Sequence, residues 1–214
     1  LCVTTGGYIN GADFDDCVCN DNMVWDITNG CMEGERQGFN DTDGHWAEQY
    51  IMNLYERGIV SGYEDGGFHP DQNVSRAELT KMSVAAATIP PETPEDDPEF
   101  KFDDLDDWQQ KWVYTAWKNG IVQGYDENTF EPNQDITRAE ALKVAMESFN
   151  VEVPDTSDEW AFPDTMEHWA ISYINKAYLD FIVSGRQDGK FYPDAPITRA
   201  EAAKILDLLS DQYT

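Results

Sequence analysis

Positive charge is scarce in this 214-residue chain: 14 lysines and arginines stand against 42 aspartates and glutamates, leaving a formal net charge of −28. A field of that sign repels nucleic acid and anionic lipid, which argues against bare DNA, RNA or a membrane surface as partner. No apolar run approaches the roughly 20 residues that cross a bilayer, so no membrane span is expected. Histidine occurs three times, at His45, His69 and His168, in no Ser-His-Asp or Cys-His context, and no glycine-rich phosphate loop is present. Nucleophilic catalysis is therefore not expected, and carboxylates are so abundant that a chance pair says nothing of a glycosidase dyad. Cysteine is limited to Cys2, Cys17, Cys19 and Cys31, all at one end. An even count in a short loop-rich segment reads as two disulfides and an oxidising, extracellular compartment. A four-thiolate metal site is the rival, although the single Cys-x-Cys is not the paired Cys-x-x-Cys hook of zinc sites. The chain opens on Leu1 without a basic signal region, as a mature chain or a fragment would.

Acidity combined with few aromatics would read as disorder, but Trp, Tyr and Phe make up 13% of residues and recur at regular places. The regularity is an internal repeat. FNDTDGHWAEQYIMNLYERGIVSGYEDGGFHPDQNVSRAE returns as FDDLDDWQQKWVYTAWKNGIVQGYDENTFEPNQDITRAE and again as FPDTMEHWAISYINKAYLDFIVSGRQDGKFYPDAPITRAE. Arg76 and Arg138 are 62 residues apart, Arg138 and Arg199 are 61, and each arginine follows its Gly62, Gly124 or Gly185 by 14. Insertions are confined to acidic, proline-bearing joints around Pro90 to Glu99 and Val151 to Glu159. The expected division is a cysteine-bearing segment, 1–37, followed by repeats at 38–89, 99–150 and 160–213.

Each repeat should open with an amphipathic helix, because Trp46, Tyr50, Ile51 and Leu54 share one helical face, as do Trp108, Trp112, Val113 and Ala116, and Trp169, Tyr173, Ile174 and Ala177. Such stripes are usually core, so the three tryptophans are read chiefly as core. The helix ends near Gly58, Gly120 and, without a glycine, Phe181. A tight loop follows, with Gly66, Gly67, Asn128 and Gly189 at the places where positive φ is expected. A second helix starts on Ser75, Thr137 and Thr198, whose hydroxyls with Glu78, Glu140 and Glu201 complete capping boxes. Three helix-loop-helix units too small to stand alone should share one core in a pseudo-threefold bundle, a mainly α fold.

These motifs, Phe-x-Asp, Trp-Ala, Gly-Ile-Val-x-Gly-Tyr, Asp-Gly-x-Phe-x-Pro and Ile-Thr-Arg-Ala-Glu, closely resemble the S-layer homology domain over roughly residues 38 to 212. The resemblance implies a three-pronged spindle whose inter-repeat grooves hold a secondary cell-wall polysaccharide, often one carrying pyruvate ketals, and so anchor a protein to a bacterial surface without covalent linkage. It implies that Arg76, Arg138 and Arg199 grip the anionic sugar. It also implies that Ser61 with Gly62, Gln123 with Gly124 and Ser184 with Gly185 line the groove floors, and that Trp46, Trp108, Trp169, Asp41, Asp104 and Asp164 lie nearby. Gln123 in place of serine and Arg186 in place of tyrosine depart from the pattern, so at least one groove is expected to be weakened.

The arginines carry an argument of their own. A cation in the first turn of a helix faces the positive end of the macrodipole, unfavourable by about 0.3 to 1 kcal/mol, yet it recurs in all three repeats of a cation-poor chain. Either an internal carboxylate offsets it, or an external anion does, held by the guanidinium and the free amides of the helix start. Asp41-Thr42-Asp43-Gly44 and Glu64-Asp65-Gly66 are reminiscent of calcium loops without the twelve-residue EF-hand spacing, and leave calcium open as a bound ion. The rival functional reading is a structural subunit that assembles with copies of itself into a surface layer or filament.

Overall fold

The computed structural model describes residues 23–26, 30–33, 38–95, 97–155 and 160–213. The chain divides into two compact units, 1–39 and 40–214. In the first, strands β1 (Met23–Asp26) and β2 (Gly30–Glu33) pair antiparallel, Met23 opposite Glu33 and Asp26 opposite Gly30. Cys2, Cys17 and Cys19 lie outside the described residues and only the backbone of Cys31 is described, so the expected disulfides fall outside the structural account.

The second unit is helical. Its elements are α1 (Glu48–Glu56) and α2 (Arg76–Ala86), then α3 (Asp107–Lys118) and α4 (Arg138–Ser148), then α5 (Ile171–Leu179) and α6 (Arg199–Tyr213), two per repeat. A short 3-10 turn at Pro163–Thr165 precedes α5. No described helix is long and apolar enough to cross a membrane.

Helices α2, α4 and α6 pack on one another, and each also takes the first helix of the following repeat: α3 on α2, α5 on α4, and α1 on α6. The last contact closes the ring between the ends of the unit. It is fastened by Asn53 Nδ2 donating to Asp207 at 2.8 Å and by the Arg57–Asp207 ion pair. Asp207 is buried, which pushes its carboxyl up despite Asn53 and Arg57 pulling the other way.

The threefold relation is explicit in the backbone. Val74 N donates to Ile197 O, Ile197 N to Ile136 O and Ile136 N to Val74 O, at 3.1, 3.1 and 3.2 Å, a closed circuit through all three repeats. Two residues further on, the second helices begin. Their capping boxes form as the sequence implies: the amides of Glu78, Glu140 and Glu201 reach the Ser75, Thr137 and Thr198 hydroxyls at 3.3, 3.3 and 3.2 Å, and each glutamate returns a bond to its cap amide. Ala77, Ala139 and Ala200 are fully buried, since their amides donate to Pro132, Pro193 and Pro70 of the next repeat, an approach that a larger side chain would crowd.

The aromatic-x-Pro turns bury Phe68, Phe130 and Phe191 completely or nearly so. Here the backbone departs from expectation. Gly66 and Gly189 have positive φ, but so do the non-glycine residues after each phenylalanine, His69, Glu131 and Tyr192, at 56°, 59° and 59°. Such a conformation costs of order 1 kcal/mol in a residue with a side chain. It is held by the Phe-x-Asp carboxylates: Asp41 accepts from Phe68 N at 2.8 Å and His69 N at 2.7 Å, Asp104 from Phe130 N and Glu131 N, and Asp164 from Phe191 N and Tyr192 N. Charge-assisted bonds of this kind offset the strain.

Candidate ligand-binding grooves

The second helices start with an arginine that leaves its own repeat. Arg76 Nε donates to Phe130 O at 3.0 Å, Arg138 Nε to Phe191 O at 3.0 Å, and Arg199 Nε to Phe68 O at 2.8 Å, so each guanidinium plugs into the aromatic turn of the next repeat around the ring. The planes lie over those phenylalanine rings at 4.5 to 4.6 Å, and Arg76 and Arg199 also lie against Tyr125 and Tyr63 at 4.6 and 4.7 Å. All three residues are at most 8% exposed.

Of the two partners weighed from the sequence, the internal carboxylate is present at two of the three arginines. Arg138 and Arg199 do pair with carboxylates, Glu201 at 2.7 Å and Glu78 at 3.2 Å, but these are the capping-box glutamates of the neighbouring repeat. Arg76 instead donates from Nη2 to the Gln123 carbonyl at 3.1 Å. The first helical amides are not free for an anion: Arg76 N, Arg138 N and Arg199 N donate to Gln134 O, Ala195 O and Gln72 O. What offsets the unfavourable helix-start charge is thus the neighbour's carbonyls, ring faces and, twice, its carboxylate. Two of the five N–H groups of each guanidinium make these bonds, and each arginine also lines a groove.

Each arginine opens on a groove to which all three repeats contribute. In the first, Ile59, Val60, Ser61 and Gly62 make the floor, Glu78 and Lys81 one wall, with Trp108 from the second repeat and Arg199 from the third; its volume is about 570 Å³. The second has Ile121, Val122 and Gln123 as floor, Glu140 and Lys143 as wall, Trp169 and Arg76 from the neighbours, and about 180 Å³. The third has Ile182 to Gly185 and Arg186 below, Glu201 and Lys204 beside, Trp46 and Arg138 from the neighbours, and about 270 Å³.

Trp46, Trp108 and Trp169 are 56%, 43% and 56% exposed, which corrects their reading as core. The helical-face argument fails because these residues stand in, or just before, the first turn. Their successors Ala47, Gln109 and Ala170 take the buried place instead. Two tryptophans are set by the preceding histidine: His45 Nδ1 accepts from Ala47 N and His168 Nδ1 from Ala170 N, each at 3.1 Å, the helix-start role their position suggests.

Asp41, Asp104 and Asp164 belong to the turns described above rather than to the groove linings. Gly124 and Gly185 are required by the fold. A Cβ on Gly124 would lie 2.4 Å from Phe102 and 2.5 Å from Asp126 O, and one on Gly185 would lie 2.6 Å from Phe162. Asp65, likewise, accepts from Gly67 N and pairs with His69. No group of three or more His, Cys, Asp or Glu among the described residues is placed to hold a metal ion.

Sequence reasoning missed the lysines. Lys81, Lys143 and Lys204 follow their arginines by five residues in every repeat, a signal as regular as the arginine itself. Lys81 Nζ stands 5.8 Å from the Trp108 ring, across the groove. Also missed was the hydroxyl link Tyr63–Glu78 at 2.7 Å and its counterpart Tyr125–Glu140 at 3.1 Å. Burial raises the Tyr63 hydroxyl to about 12, reinforced by Glu78. Burial also acts to raise Glu78, but the Ser75 amide, the Tyr63 hydroxyl and Arg199 outweigh it and hold its carboxyl below the ordinary value. At neutral pH the first groove therefore holds an ionised glutamate between a phenol and a guanidinium.

Comparison with known proteins agrees with this architecture. The S-layer homology domain model matches residues 38–80, 101–142 and 161–203. Similar relatives include a surface-layer 125 kDa protein of Lysinibacillus sphaericus, 31% identical over 78% of this chain and 14% of the relative. They also include an endoglucanase of a Bacillus strain, 27% identical over 77% and 18%, and a cellulosome-anchoring protein of Acetivibrio thermocellus, 31% identical over 58% and 30%. The chain spans less than a third of the length of each of these. With three matched repeats covering more than half its residues, the chain belongs to the S-layer homology domain family, as its likeness to a surface-layer protein and a cellulosome-anchoring protein also indicates.

Proposed function

We propose that the chain anchors an extracellular protein to the bacterial cell surface by holding an anionic cell-wall polysaccharide, of the pyruvate-bearing kind, in its three inter-repeat grooves. The observation that carries this reading is the threefold recurrence of one constellation: a fixed guanidinium from one repeat, a half-buried lysine from the next, and an exposed indole from the third. Cations fix a carboxylate, and an indole face accepts the C–H face of a sugar ring. In a chain of charge −28 an anionic glycan has reason to settle only where cations are gathered.

The arginines are poor subjects for a test, since each also bonds the backbone of a neighbouring repeat and its removal would mix binding with stability. The lysines are better. In the triple variant Lys81→Ala, Lys143→Ala, Lys204→Ala, calorimetric affinity for a pyruvylated wall polysaccharide should fall at least about ten-fold while thermal stability is unchanged. Undiminished binding in that variant would overturn the groove reading.

A second reading, self-assembly into a surface layer or filament, is favoured by one observation. Tyr178, Leu179 and Phe181 are 45%, 64% and 87% exposed at the end of α5. Sedimentation of the protein without glycan separates the two: a monomer at high concentration speaks against self-assembly.

A further inference from the structure

The three grooves are unequal, and the inequality centres on Arg186. Where the first two repeats carry Tyr63 and Tyr125, whose hydroxyls bond the capping glutamates, the third carries a guanidinium. Arg186 is exposed. Its backbone is pinned by Arg186 N donating to Lys190 O at 2.8 Å and Gly189 N donating to Arg186 O at 2.9 Å. Its guanidinium lies 5.0 Å over the Tyr192 ring, and that residue is itself held in its strained conformation by Asp164. Among the described residues no ion pair joins Arg186 to a carboxylate, and the Glu201 carboxylate of the same groove is already bonded to Arg138.

A neighbouring cavity adjoins the third groove. This cavity of about 810 Å³, lined by Trp46, Gly185, Arg186, Gln187, Asp188 and Tyr192, shares its first three residues with the groove proper. Asp188 is the one carboxylate in that lining, and it is engaged as acceptor for the Lys190 amide and the Tyr192 hydroxyl. The result is a continuous trough. Arg138 and Lys204 stand at one end, Arg186 stands at the junction, and Trp46 presents a largely exposed indole to both parts.

We propose that Arg186 and Trp46 form an additional subsite in which the third groove binds a second, negatively charged sugar residue of the same glycan chain. This rests on the groove reading above: the first anionic sugar occupies the position at Arg138 and Lys204, and its neighbour lies against Trp46 with its carboxylate on Arg186. Two adjacent guanidiniums then serve two adjacent charges, and the third groove reads a pair of residues. The substitution of tyrosine by arginine does not silence this groove; it changes what the groove selects.

The test uses the full chain and three synthetic probes: the methyl glycoside of a pyruvate-ketal sugar, that sugar linked to a uronic acid, and the same disaccharide with the matching neutral hexose. The native protein should bind the uronate disaccharide roughly five- to ten-fold more tightly than the neutral one, a preference that shrinks with added salt. Arg186→Tyr, which restores the residue of the other repeats, and Arg186→Gln should both abolish that preference. Both variants should leave the melting temperature unchanged. No uronate preference in the native protein, or an equal preference in both variants, would overturn the subsite while leaving the groove reading intact. If the monosaccharide fails to bind the native protein at all, the groove reading falls and the subsite falls with it.

Discussion

The arginine ring and the lysine rim are both repeated three times at fixed spacing, and they do opposite things. Arg76, Arg138 and Arg199 are buried, bonded to a neighbour's backbone and stacked on its rings. Lys81, Lys143 and Lys204, five residues later on the same helices, stay half-buried along the groove walls. Recurrence alone therefore does not separate a residue that assembles the repeats from one that faces a ligand. Three copies of a motif must interlock as well as bind, and both demands recur with the same period.

The comparison is broken most directly by truncating one member of each ring. Arg199→Ala leaves the Phe68 carbonyl and Glu78 without their cation and should destabilise the fold by about 3 kcal/mol, whereas Lys81→Ala should cost less than about 0.5 kcal/mol. Denaturant unfolding of the two variants checks this. Equal stability in both would mean that the buried ring is not what joins the repeats.

A smaller effect sharpens the contrast between repeats. Phe181 occupies at φ 61° the helix-ending place that Gly58 and Gly120 fill at 70° and 75°, and it is 87% exposed, so its side chain returns little to the fold. Phe181→Gly should therefore stabilise the protein by about 1 kcal/mol. A melting temperature that falls instead would show that Phe181 has a partner within the chain.

The most localised effect is in acid. The Glu78 carboxyl is held below its unfolded value, so its contribution to stability is present above that value and is lost as pH falls through the lower, folded one. Asp207 is raised by burial and acts with the opposite sign, gaining stability relative to neutral pH as it protonates. Glu78→Gln should flatten the acid limb of the stability curve, measured by unfolding at a series of pH values. An unchanged limb would place the acid sensitivity elsewhere.

Much of this fold was legible in the sequence because its signals are local. A serine or threonine three residues before a glutamate makes a capping box whatever surrounds it, and all three form. The repeat spacing likewise implied the closed threefold arrangement now visible in the circuit through Val74, Ile136 and Ile197. What stayed hidden is what the chain does across repeats. Nothing near Arg199 in sequence announces that its guanidinium reaches Phe68, 131 positions away. Trp46 and Trp169 looked like core because periodicity was extended half a turn beyond the true helix starts at Glu48 and Ile171. Asp41, Asp104 and Asp164, set near the groove by the family resemblance, instead hold His69, Glu131 and Tyr192, whose positive φ carries no sequence signature.

The central claim is that the grooves take an anionic sugar at the inner guanidiniums. It is tested most directly by following the arginine Nε–H resonances of the intact protein while a methyl glycoside carrying one pyruvate ketal is added. Signals of Arg76, Arg138 and Arg199 should shift in a saturable manner together with the indole signals of Trp169, Trp46 and Trp108. Binding that leaves all three arginines unmoved, or no binding of this probe, would contradict the account.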